Sequence, residues 1–92
     1  EKRNVIKEKS FLFAIEIVDL YKLLAVRREF VLSKQLLRSG TSIVQILEME
    51  HAQSKADFIH KLSISLKEAN ETEYWLALLF ESKYINKIEF EN

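Results

Sequence analysis

Cysteine and proline are absent from this chain, and glycine occurs once, at Gly40. Without cysteine there is no disulfide and no thiolate nucleophile or metal ligand, which fits a reducing cytoplasm, the compartment expected here. Without proline, and with one glycine, almost nothing stops a helix once it has begun. A surplus of charge is also missing: 14 Lys and Arg stand against 14 Asp and Glu, so no overall field steers the chain toward nucleic acid or an anionic membrane. Nor is there a membrane-length apolar stretch. The run from Phe11 to Val26 is broken by Glu16, Asp19 and Lys22 and is too short to span, so a soluble protein is expected, with no membrane partner. The sequence starts at Glu1 rather than methionine, which predicts a processed or trimmed form of a longer chain.

What remains is a composition led by Leu, Ile, Glu, Lys and Ala, which reads as helix nearly end to end. The 92 residues make one helical-bundle domain, small enough that its core must be dense or shared. Ser10 can cap a first helix running to about Val26, with a start near Asn4 as the alternative. Arg27, Arg28 and Glu29 form a charged corner. Leu32, Leu36, Ser39, Ile43 and Ile46 then recur at helical steps through a second helix ending near Gln53. Within it, Ser39, Gly40, Thr41 and Ser42 predict close approach of a neighbouring backbone, a break at Gly40 being the alternative. Ser54 to Asp57 has capping-box spacing and opens a third helix whose core stripe is expected to be Phe58, Leu62, Leu66, Ala69, Leu76 and Phe80.

Ile64, Trp75 and Leu78 fall on the side of that helix opposite the expected core stripe. Either Trp75 is a scattered exposed aromatic, or the three residues form a subunit contact, the reading preferred because Trp is enriched at the buried centres of interfaces. Asn86 to Glu89 repeats the capping-box spacing, and Ile85 and Phe90 stand where a hydrophobic staple would pair. A fourth helix therefore begins just before the sequence stops. Either the chain is expected to continue for several turns, or another element covers the groove that helix would fill.

Catalytic and metal chemistry find little support. Glu48 with His51, and Asp57 with His60, are two carboxylate-x-x-His pairs, short of the full ligand set of a di-iron bundle. No serine sits on a nucleophile elbow. No enzyme activity, cofactor, metal or small-molecule substrate is expected. Glu73 falls on the expected core side of the third helix, so it either pairs with Arg38 as a buried polar pair or snorkels to the edge. For nucleic acid, Arg27, Arg28 and Lys34 cluster at the first corner, and Lys55, Lys61 and Lys67 recur along the first half of the third helix. These are candidate phosphate contacts, although most such lysine series are solvated faces.

The stretches Glu29-Phe30, Gln35 to Ile43, Gln53 to Phe58 and Lys67 to Leu76 together resemble the four-helix-bundle family of the 23S rRNA intervening-sequence protein. The resemblance covers over half the chain. It implies an up-down left-handed four-helix bundle, here with three long helices and a fourth only begun, and a homopentamer with no known catalysis. Its genes lie in some cases within large-subunit ribosomal RNA genes. A related branch, the accessory variability protein of diversity-generating retroelements, has a basic surface linked to nucleic acid and reverse transcriptase, so an RNA- or DNA-binding accessory role is the alternative to a self-associating scaffold. Glu48 and Glu71 match acidic positions of the family pattern. Between Ser42 and Glu48 this sequence is one residue shorter than that pattern, with Gln45 where the family has Asn. A one-residue deletion turns everything downstream by about 100° in a regular helix, so a local distortion or altered packing is expected beyond Ile43.

Overall fold

A computed structural model describes residues 2–48 and 55–91. Four helices follow in order: α1 (Lys2–Val26), α2 (Leu32–Glu48), α3 (Lys55–Glu81) and α4 (Lys87–Glu91). The described residues contain no strand, and the molecule is an all-α bundle in a rod of 44 × 20 × 19 Å. α2 is the central element. It packs against α1 on one side and α3 on the other, while the backbones of α1 and α3 do not meet. A groove therefore runs between α1 and α3, and α4 enters one end of it.

The first helix is longer than its capping signal implied. Ser10 lies inside α1 rather than at its cap, because Lys2 to Lys9 contain no breaker and continue the helix. α2 is unbroken through Gly40 and through Val44, where the apparent deletion lies, so no local distortion of the helix marks it. The expected end near Gln53 and the Ser54 cap lie outside the described residues.

The cluster of small residues on α2 does what its composition suggests. A Cβ on Gly40 would lie 2.9 Å from both Cγ1 and Cγ2 of Ile17, so α1 crosses α2 closely at this point. On the other side, the Ser39 hydroxyl is fully buried and sits 2.9 Å from the hydroxyl of Thr72 on α3. Thr72 is also 2.8 Å from the Glu68 carbonyl, which satisfies its polarity in a place without water. Beyond this seam, Ile17, Leu24, Leu36, Leu79 and Ile85 make the core.

Packing through small residues corrects the expected face of α3. Its buried positions are Ser65, Thr72 and Leu79, seven residues apart, whereas Phe58, Leu62 and Leu66 are exposed. Ala69, Leu76 and Phe80 line the groove side instead. Against α2, only small residues permit so short an interhelical distance. The bulky stripe consequently turns toward the groove.

α1 and α3 end in the same way at their C-termini. At α1, the Glu29 amide donates to Leu24 O and the Arg28 amide to Ala25 O; at α3, Tyr84 donates to Leu79 O and Lys83 to Phe80 O. Arg28 and Lys83 take the left-handed position, with φ of 64° and 67°. These are Schellman caps with a cation where glycine is usual. Glu29 then starts α2: its buried carboxylate accepts the amides of Ser33 at 2.7 Å and Leu32 at 3.1 Å, and the Ser33 hydroxyl returns a bond to the Glu29 carbonyl at 2.8 Å. The charged corner thus conceals a helix cap.

Two outcomes follow. Gly40→Val is expected to destabilise the fold by about 1–3 kcal/mol, since the β-branched Ile17 has no flexible end to withdraw, and Gly40→Ala by less because alanine regains helix propensity. Urea titrations followed by circular dichroism measure both. Glu29→Ala should cost about 1–2 kcal/mol through loss of the cap in the same assay.

Candidate functional site

Three surfaces carry the residues singled out in the sequence. On the first, the flank of α3 beside α2, the helix places Ile64, Glu68, Glu71, Trp75 and Leu78 along one stripe at three- and four-residue steps. Arg38 reaches across from α2 and pairs with Glu71, with Glu68 Oε1 at 3.5 Å from its other terminal nitrogen. The Trp75 indole N–H donates to Glu71 at 3.1 Å, and its ring meets Tyr74 edge-on at 5.0 Å. Glu71 is therefore held from two sides.

Of the two alternatives for Glu73, the buried pair with Arg38 does not form and the side chain lies at the edge. Glu73 is exposed and lines the groove, on a different side of α3 from Glu71, so Arg38 takes the carboxylates that actually flank α2. Trp75 also differs from its expected setting. It packs partly against the core cluster, because the rotation of α3 turns it toward the core. Ile64 is exposed and Leu78 half-buried on the same stripe. Two buried polar atoms on this flank, Ser65 Oγ and Glu68 Oε1, have no hydrogen-bond partner. Glu48 closes α2, and its side chain, like the whole of His51, lies outside the described residues.

At the second surface, the end of the rod where the turns meet, Arg27 clamps α4. Its guanidinium binds Glu89 at 2.9 and 3.0 Å in a two-pronged pair and donates to the Tyr84 carbonyl at 2.6 Å. Glu89 also completes the capping box anticipated from the sequence: the Asn86 amide donates to Glu89 Oε1 and the Glu89 amide to Asn86 Oδ1, each at 2.9 Å. Arg27 is thus a structural cation rather than one free for phosphate. Lys61 is likewise paired, with Asp57 at 3.2 Å one turn away. Arg28, Lys34, Lys55 and Lys67 are exposed, but Lys55 and Lys67 lie about 18 Å apart along α3, away from the corner that holds Arg28 and Lys34. The six cations do not form one patch.

The third surface is the groove itself. Phe13, Ile17 and Leu20 of α1 face Leu76 of α3 across it, and Phe90 of α4, stacked on Phe80 at 4.8 Å, closes its lower end. Ile85 and Phe90 join the same core cluster, as a staple would. Among the described residues, no three His, Asp or Glu side chains come together as a metal would need, and no helix is long and apolar enough to cross a membrane.

This arrangement, a long three-helix rod with small residues at its centre, matches a known family. The family model described as 23S rRNA-intervening sequence protein matches residues 2–92. The chain belongs to this family. A similar solved structure is that of a protein of unknown function from the S23 ribosomal protein family of Bacteroides thetaiotaomicron VPI-5482. It is 59% identical and superposes with a TM-score of 0.93, the match covering 96% of this chain and 83% of that one. No curated protein matches. Membership in the 23S rRNA-intervening sequence protein family fixes the fold and leaves the function to be argued from the surfaces.

The Arg27–Glu89 clamp makes α4 sensitive to acid. Hydrogen bonds from Arg27, then from the Asn86 amide, hold the Glu89 carboxyl below its ordinary value against the opposing effect of desolvation. A carboxyl lowered in the folded state stabilises fully above its unfolded pKa, and that contribution is lost as pH falls through the folded one. Thermal melts should therefore show the wild type more stable than Glu89→Gln at neutral pH, with the gap closing below about pH 4, the ordinary glutamate range.

Proposed function

We propose that the protein is a non-catalytic, self-associating helical module of the cytoplasm that acts by assembling copies of itself, with five as the number the family resemblance implies. The observation that carries this reading is the stripe Ile64, Glu68, Glu71, Trp75 and Leu78. Its period is that of a helix-to-helix seam, its ends are apolar, and its centre is ordered in advance by Arg38. Pre-ordering removes part of the entropy cost of association. A half-buried Trp beside an ordered carboxylate is the kind of anchor around which interface energy concentrates.

A ring of an odd number of copies needs a head-to-tail contact, in which the stripe meets a different face of the next copy. α1 offers such a face in its exposed Phe11, Leu12 and Ile15. In this reading the stripe of one protomer covers the α1 face of its neighbour. No substrate, cofactor or metal enters this activity.

Light scattering on a size-exclusion column tests it. The wild type should elute as one oligomer at tens of micromolar, in the range of about 10–50 µM where interfaces of standard size hold together. Ile64→Glu on the stripe, or Ile15→Glu on the α1 face, should give a monomer with unchanged helicity by circular dichroism. A monomeric wild type at that concentration sinks the proposal. An oligomer indifferent to both substitutions would place the contact on another face.

A further inference from the structure

The end of the rod where the α1–α2 corner meets the α3–α4 turn carries cations that the fold does not pair. Arg27 binds the Tyr84 carbonyl and Glu89, and in doing so draws the two turns together. Arg28 follows Arg27, and Lys83 precedes Tyr84, so both come to this end. Lys34 in the first turn of α2 and Lys87 at the start of α4 join them. All four are exposed and none has an ion-pair partner among the described residues. Of the carboxylates with described side chains here, Glu29 is buried in the cap of α2 and Glu89 is held by Arg27, which leaves Glu81 as the opposing charge among them.

Two of these cations occupy costly positions. Arg28 and Lys83 sit at the left-handed residue of their caps, where glycine is free of strain and a side chain is not. A cation near a helix C-terminus is favoured by the dipole, but a lysine or arginine one turn earlier would provide that without backbone strain. The same uncommon choice at two adjacent turns indicates a use for the side chains themselves. The same corner and turn carry exposed aromatics, Phe30 at 51% and Tyr84 at 38%. Arg27, Phe80, Glu81, Lys83, Tyr84, Ile85 and Asn86 border an open cleft of about 740 Å³, in which Glu81 is the one carboxylate.

We propose that this end binds a single-stranded nucleic acid, with Arg28, Lys34, Lys83 and Lys87 on its phosphates and Phe30 and Tyr84 against its bases. Lys83 and Tyr84 on the cleft, with further exposed cations and a ring face at the adjoining turns, suit a strand whose bases are unstacked, and they distinguish it from a bilayer, which asks for a flat face. RNA and DNA share the phosphodiester chemistry that these residues recognise. The site is on a different face from the α3 stripe and does not depend on self-association.

Fluorescence anisotropy with labelled single strands of mixed sequence, about 12 nucleotides long to suit a compact site, tests the proposal with RNA and DNA in parallel. Binding should weaken with salt, with a log–log slope of about −2 to −3 for three or four phosphate contacts. Arg28→Gly/Lys83→Gly should weaken binding at least tenfold and flatten the slope by about 1.4, that is, about 0.7 for each lost contact. Because glycine suits both backbone positions, the same variant should melt no lower than the wild type, which separates a lost contact from a lost fold. Lys55→Ala/Lys67→Ala, remote from the cleft, should bind as the wild type does. Equal affinity for RNA and DNA supports backbone recognition, and a preference for RNA supports it with a 2′-hydroxyl contact added. The proposal is overturned if the wild type binds neither strand at low salt, or if Arg28→Gly/Lys83→Gly binds undiminished. It is also overturned if the protein ignores both strands yet sediments with phosphatidylglycerol vesicles.

Discussion

The fold depends on one close approach. Gly40 lets α1 come within contact of α2 through Ile17, and the adjacent Ser39 lets α3 do the same through Thr72. Two consecutive small residues on one helix thus set the spacing of both neighbours. Helix propensity argues against placing them there, since glycine and serine each weaken a helix interior. The compensation is dense packing around a fully buried Leu24, Leu36 and Leu79, which a chain of this size requires because it has little core to spare.

That spacing decides which residues reach the surface. With α3 held to α2 by Ser65 and Thr72, its large apolar side chains turn toward the groove, and its Glu68–Glu71–Trp75 stripe turns to the outer flank. The two surfaces differ in character. The groove side is apolar with Glu16, Asp19 and Glu73 along it, and it is partly closed by Phe90. On the flank, one arginine is hydrogen-bonded to Glu71 and ion-paired with Glu68. Exposed ion pairs of this kind add little to stability, so their value lies in fixing where charge stands on the surface.

Much of the architecture was legible because its signals are local. The α4 capping box at Asn86 and Glu89, the Ile85 and Phe90 staple, and the small cluster on α2 each depend on residues within a few positions of one another. The failures came where the answer depends on a partner helix. Periodicity located an apolar stripe on α3 without revealing that Ser65 and Thr72, polar by type, are the ones buried. Arg38 and Glu73 were placed together by burial reasoning, yet a rotation of α3 gives Arg38 to Glu71. Arg27 and Glu29 read as one charged corner, whereas Glu29 points into the start of α2 and Arg27 spans 62 positions to Glu89. No local pattern encodes a contact of that length. The basic residues on α3 were visible, but the joining of Arg28 with Lys83 needed the two turns to be seen side by side.

The arrangement of α2 between helices that do not touch has a consequence for how the molecule assembles. Its packed pairs are α1 with α2, α2 with α3, and α3 with α4, so each partner is the next element along the chain. Such a topology lets two helical hairpins form in succession on a shared central helix, with little loop entropy spent before contacts repay it. The Arg27 clamp ties the corner after the first helix to the last one, beside Phe90 at the groove. A contact between positions so distant in sequence carries the largest loop-closure cost of the fold, so it is favoured once the neighbouring helices have already brought the two turns together.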